Sequence, residues 1–140
     1  MTFEERSTWV GAIVAVGTFI AYATALLARA GGADISTVPF VDLMLIYGIG
    51  IPIVVTIVGV IVVTAIWHRD SQTKDQRDKA IDRHGEYVAG ILLAVLMFVP
   101  FGLALADADT FWIAHAMYLA FLTSALIGGI VKIVVYRRGF

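Results

Sequence analysis

Cysteine is absent from this chain of 140 residues, and charged side chains are scarce. Without cysteine the chain has no disulfide framework, no thiolate zinc site and no thiol nucleophile. Charged residues make up 15% of the chain and hydrophobic residues 60%, whereas an ordinary soluble domain is about a quarter charged and about half apolar. The composition therefore favours lipid, rather than water, as the solvent around most of the protein.

Four long apolar runs cover about 9–28, 43–67, 87–106 and 111–136. A helix rises about 1.5 Å per residue, so about 20 residues cross the roughly 30 Å hydrocarbon core of a bilayer. Backbone groups in lipid must be paired within the segment, which helices achieve, whereas barrel strands would alternate in polarity over about ten residues. The sequence predicts an all-α fold, with residues 1–140 forming one bundle of four transmembrane helices in the lipid bilayer.

Basic residues are concentrated on one side of the four predicted crossings. Both termini and the 68–86 loop share that side, which holds every Lys and Arg except Arg29. The positive-inside rule places such an excess of Lys and Arg in the cytoplasm. We therefore expect a multi-pass membrane protein whose termini and 68–86 loop are cytoplasmic.

The 68–86 loop carries basic and acidic side chains in alternation, and its charges balance. A purely electrostatic lipid anchor would be a cluster of Lys and Arg, and the interleaved carboxylates should cancel its field. Lys74 and Asp78, like Asp75 and Lys79, are four residues apart, a spacing that favours ion pairs along one helix. We expect a cytoplasmic extension of the third helix over residues 74–86, interrupted or capped near Gly85.

Two interpretations of this charged segment are open: a solvated connector, or a surface that docks a cytoplasmic protein partner. Catalysis is not expected, because no nucleophile or oxyanion donor lies nearby. Without a basic excess, nucleic-acid binding is not expected either. The chain is thus predicted to be neither an enzyme nor a cofactor carrier. The predicted docking residues are Lys74, Asp75, Arg77, Asp78, Asp82, Arg83 and Glu86.

The segment DQRDKAIDRHGEY, residues 75–87, resembles the D-x-R-D-x-x-I signature of the DUF2178-like group, small bacterial four-helix membrane proteins of unknown function. The FEER segment before Trp9, the DTFW entry to the fourth helix and the YRRGF tail look like this group as well. The resemblance spans most of the chain and implies a multi-pass protein of the bacterial cytoplasmic (inner) membrane. Such proteins are often encoded beside a helix-turn-helix regulator, so a transcriptional regulator is one expected partner. The resemblance supplies no catalytic residues.

His115 is a second candidate site, because an ionisable residue inside a span is a functional-site hypothesis by default. Together with Asp107 and Asp109 it could hold a divalent cation, or it could simply hydrogen-bond to a neighbouring helix. His68 and His84, near the opposite boundary, could share a metal or could each mark a helix end. Because His115 lies at the other end of the spans, a bis-histidine haem is not expected.

Pro52 and Pro100 lie inside the second and third predicted helices, and each should kink its helix. Kinks can line a cavity in transporters, so the alternative function is a small oligomeric transporter or channel for an ion or small molecule. The docking function is preferred, because no uncompensated charge lies deep in a span, as ion pathways usually require. Lys132, about one turn from the end of its span, is expected to extend to the lipid headgroups.

A stripe of small residues recurs every four positions in the fourth helix. Small residues permit close approach of helices in lipid, where no hydrophobic effect drives them together. We expect the stripe to pack against the first helix within one protomer, or to form the seam of a homodimer. The stripe is Ala116, Ala120, Ser124 and Gly128, and the matching surface of the first helix is Gly11, Ala15, Ala21 and Ala25.

Overall fold

The computed structural model describes residues 3–66 and 76–138, with side chains from residue 5 onward in the first range. Its elements are helical, in agreement with the predicted all-α class. Each of the four long helices is long and apolar enough to cross a membrane. They are α1 (Phe3–Ala30), α2 (Val41–Ile66), α3 (Gln76–Leu105) and α4 (Thr110–Arg138), with a 3₁₀ turn at Ile35–Thr37 between α1 and α2.

Helices α1 and α4 lie side by side, with α2 packed against α1 and α3 packed against α4. An ion pair of 3.3 Å between Glu5 and Arg137 joins the start of α1 to the end of α4. At the opposite end, Arg29 on α1 pairs with Asp42 on α2 at 2.7 Å. We call the end of the bundle with the Glu5–Arg137 pair the basic end, and the end with the Arg29–Asp42 pair the acidic end. Large apolar side chains of α2 are exposed along its length, as lipid-facing side chains would be.

Both intrahelical prolines accompany an irregularity in their helix. Before Pro52, residues Met44–Gly50 form a wider π-helical turn, closed by a hydrogen bond from the Ile51 N–H to the Ile46 carbonyl. The Pro52 ring has no N–H and crowds the carbonyl four residues earlier, and a wider turn relieves that crowding. In α3 the regular helix is interrupted at Met97, three residues before Pro100.

In the stripe of small residues on α4, Ala120, Ser124 and Gly128 are buried within the single chain, and the partner at Gly128 is α3 rather than the expected α1. A Cβ atom built on Gly128 would lie 2.8 Å from the Ala89 Cβ and 3.1 Å from the Gly85 carbonyl oxygen. A Cβ atom built on Gly11 of α1 would meet nothing within 4 Å. The prediction of α1 as the matching surface is therefore wrong at this position. Glycine is needed on α4 because the two backbones approach so closely.

Several acidic residues have structural roles in the two short loops between helices. Asp107 has a left-handed backbone (φ 55°), and the hydrogen bonds from Asp107 and Ala108 back to Ala104 and Leu103 form a Schellman-type end of α3. The Asp109 carbonyl accepts from the Trp112 N–H at the start of α4. In the first loop, the N–H and hydroxyl of Ser36 donate to the Asp34 carboxylate and lower the pKa of that carboxyl.

Candidate functional site

The described part of the charged segment, from Gln76 onward, forms one continuous helix with the first apolar turns of α3. From Gln76 to Leu96 the helix is unbroken, so the expected interruption near Gly85 is wrong. Gly85 is buried, and its lack of a side chain allows the close contact with Gly128 rather than ending the helix. Lys74 and Asp75 lie outside the described residues, and so do the ion pairs predicted for them.

Burial, ion pairs and a close backbone approach fix the first turns of α3 in the protein. Ile81 is completely buried, with 0% of its surface exposed, which for a side chain of this size stabilises the fold by about 1.5–3 kcal/mol. The Lys132 ammonium of α4 lies 3.1 Å from the carboxylate of the next residue, Asp82, and 3.7 Å from that of Glu86. Lys132 therefore does not simply extend toward headgroups, as expected, because it has a half-buried partner. Together with the contact at Gly85, these interactions fix how this segment of α3 lies on α4.

The charged side chains at the start of α3 differ in how far they are buried. Asp78 and Asp82 are partly buried, whereas Arg77, Lys79 and Arg83 are exposed. The two aspartates are therefore less accessible, whereas the exposed charged side chains between residues 77 and 83 are basic. The cancellation expected over the whole 68–86 loop stays a prediction, because residues 68–75 lie outside the described part of the chain. Among the acidic docking residues that the structure describes, Glu86 is the exposed one, with 75% of its side chain accessible.

A cavity of about 450 Å³ opens beside this segment, between α1, α3 and α4. Its mouth carries Thr8, Asp82, Glu86 and Lys132, and its lining extends to alanines near the middle of α1 and α4. Because polar groups are confined to the mouth, the cavity suits an amphiphilic or apolar occupant better than a bare ion, which needs polar ligands throughout its path.

A second cavity, of about 590 Å³, lies between α1, α2 and α4. It lies beside the irregular turn of α2, where Gly48 and Pro52 contribute to its wall. The remaining wall is apolar except for Thr18 and Tyr118. The Thr18 hydroxyl donates to the Val14 carbonyl of its own helix at 2.7 Å. This cavity therefore offers little for a polar ligand.

His115 joins helices α1 and α4 near the acidic end. Its Nδ1 lies 2.7 Å from the Phe111 carbonyl and its Nε2 lies 2.5 Å from the Tyr22 hydroxyl. A carbonyl only accepts, so Nδ1 carries the proton, and in the neutral ring Nε2 accepts from Tyr22. Both ring nitrogens are occupied, as the predicted hydrogen bond to a neighbouring helix requires. The rings of Phe40 and Phe111 pack against the imidazole.

The predicted metal site at His115, Asp107 and Asp109 has little support in this arrangement. The two aspartates lie at the junction of α3 and α4, where their backbones end one helix and start the next. Within residues 3–66 and 76–138, no group of three or more His, Asp or Glu side chains is placed to hold a metal ion. His68 lies outside the described residues, so the structure does not describe its proposed pairing with His84.

The sequence did not reveal the contact between Lys132 and Asp82. The available signal was a single lysine inside an otherwise apolar run, which is costly to bury without an anionic partner.

Comparisons with protein-family models, with curated proteins and with solved structures found no match. The arguments for function therefore rest on the geometry of the basic end.

Proposed function

We propose that this chain is an integral protein of a bacterial cytoplasmic membrane, related to the DUF2178-like group, with both termini and the 68–86 segment in the cytoplasm. Four helices of spanning length support insertion. The distribution of Lys and Arg supports the orientation, because among the basic residues that the structure describes Arg29 alone lies at the acidic end. Single cysteines in place of Ser36 and Ser71 test it with an impermeant thiol reagent. In intact cells, position 36 should react and position 71 should not; the reverse pattern would refute the orientation.

Its function, in this proposal, is to present the start of α3 to a cytoplasmic protein. The supporting observation is that this segment is a helix held to α4 through the ion pair of Asp82 with Lys132, while Arg77, Arg83 and Glu86 are exposed. A preformed surface binds without the loss of conformational entropy that a disordered loop would incur. The resemblance described above makes a transcriptional regulator one candidate partner.

A crosslinked pull-down from native membranes tests this function. Wild-type protein should retain a discrete partner that the Arg77→Gln/Arg83→Gln/Glu86→Gln variant loses. The control is Arg138→Gln, which removes another exposed charge from the basic end. Exposed charges contribute little to folding, typically about 0–1 kcal/mol, so all variants should melt alike. An identical set of crosslinked proteins in every variant would contradict docking at this surface.

The cavity beside Lys132 favours a second candidate function, transport of a small amphiphile. Its polar groups lie toward the basic end and its apolar lining extends to Ala15 and Ala125, an arrangement that matches such a molecule. Ala125→Phe should fill the cavity and abolish flux of ethidium in proteoliposomes, while Val95→Phe, on the exposed surface of α3, should not. If wild-type protein moves no ethidium, or if both variants move it equally, this candidate loses its support.

A further inference from the structure

The exposed side of α3 carries a row of three residues spaced four apart: Lys79, Arg83 and Tyr87. Residues four apart lie on neighbouring turns of one helix face, with Cβ atoms about 5–6 Å apart. All three are exposed, Tyr87 to 67%. Among the residues that the structure describes, neither Lys79 nor Arg83 has a carboxylate partner. The nearby Asp82 carboxylate instead faces Lys132 on α4.

The row lies where the charged part of α3 meets its apolar part. Tyr87 begins the uncharged run that continues through Ala106, and tyrosine favours the interface between hydrocarbon and headgroups. By helical rise, Arg83 lies about 6 Å and Lys79 about 12 Å farther from the apolar run. Arg83 would then lie at the depth of lipid phosphates, and the long Lys79 side chain can extend down to the same depth.

We propose that Lys79, Arg83 and Tyr87 form a binding site for the phosphate headgroup of an anionic membrane lipid. The two cations complement the charge of the headgroup, and the Arg83 guanidinium can donate two parallel hydrogen bonds to phosphate oxygens. Tyr87 packs beside the upper part of the acyl chains. The site rests on insertion into a membrane but not on the docking of a protein partner. A lipid there would also reinforce the position of the α3 segment.

The test measures lipid binding to purified protein in detergent by native mass spectrometry. The probes are palmitoyl-oleoyl phosphatidylglycerol and phosphatidylcholine, which share acyl chains and differ in net charge. Wild-type protein should bind phosphatidylglycerol more tightly, and Lys79→Gln/Arg83→Gln should weaken that binding about 25-fold, since each basic residue contributes about fivefold. Binding of phosphatidylcholine should not change.

Two further variants serve as controls, the first for the charge of the site and the second for its position. Lys79→Arg/Arg83→Lys keeps both charges and should retain the preference for phosphatidylglycerol. Arg138→Gln removes one exposed charge elsewhere at the basic end and should lower affinity by far less than the double variant. Equal affinity of wild-type protein for the two lipids would overturn the proposal and leave this face to a protein partner. An equal loss in Arg138→Gln and in the Lys79/Arg83 variant would overturn it as well.

Because the protein is purified, no cytoplasmic partner is present in this experiment. Failure of lipid binding therefore leaves the docking proposal intact, and failure of the pull-down leaves the lipid site intact.

Discussion

Replacing Gly128 by alanine tests the close approach of α3 and α4 near the basic end. The added Cβ would lie 2.8 Å from the Ala89 Cβ and 3.1 Å from the Gly85 carbonyl oxygen. Neither atom belongs to a flexible side chain, so α3 and α4 must move apart. Overpacking of this kind costs about 1–3 kcal/mol. The shift would also disturb the contacts of Ile81 and Asp82 on the same face of α3.

The neighbouring Gly129 supplies a matched control. A Cβ built there would lie 3.5 Å from the Thr8 Cγ2, an ordinary van der Waals contact. Both substitutions gain the same helix propensity, about 1 kcal/mol for alanine over glycine, so the difference between them isolates the contact with α3. Unfolding in mixed micelles, followed by circular dichroism during a titration with sodium dodecyl sulfate, should rank Gly128→Ala below Gly129→Ala by about 1–3 kcal/mol. Equal stabilities, or the opposite order, would refute the close contact of α3 and α4.

Two further substitutions probe the polar contacts between helices in the same unfolding assay. Asp82→Ala should cost about 1–3 kcal/mol, between the values for exposed and fully buried ion pairs. Adding Lys132→Met should recover part of the loss, since it removes an ammonium that has lost its closer partner. Strictly additive losses would show that the two side chains do not interact. Tyr22→Phe should cost about 1–2 kcal/mol, because Tyr22 is only 2% exposed and its hydroxyl donates to His115. Unchanged stability would show that this hydrogen bond is absent or is replaced.

The helices could be predicted from the sequence because apolar length is a local property. The observed ends extend beyond the predicted ones, to Phe3 in α1 and Arg138 in α4, since polar residues continue a helix outside an apolar run. The charged segment was predicted to be helical, and it is helical from Gln76 onward. What local patterns could not supply was the side of α3 that faces the protein.

The candidate site depended on contacts between segments far apart in the chain. Pairing along the charged segment was predicted from spacings of four residues, whereas Asp82 pairs with Lys132, fifty residues away in the sequence. The role of Gly85 was misjudged for a similar reason. Glycine near a charged segment is a common helix end, but here the backbone of α4 lies close enough to require it.

The most direct test of the docking function is site-specific photocrosslinking from Ala80, an exposed residue between Lys79 and Ile81 on α3. A benzophenone amino acid at position 80, irradiated in native membranes, should give one discrete protein adduct. The same probe at Val95, exposed on the apolar part of α3, should give lipid adducts only. Adding Arg77→Glu should remove the protein adduct at position 80 without changing the melting temperature. A docking surface predicts this pattern, whereas lipid adducts alone at both positions, or a protein adduct that persists in Arg77→Glu, would contradict it.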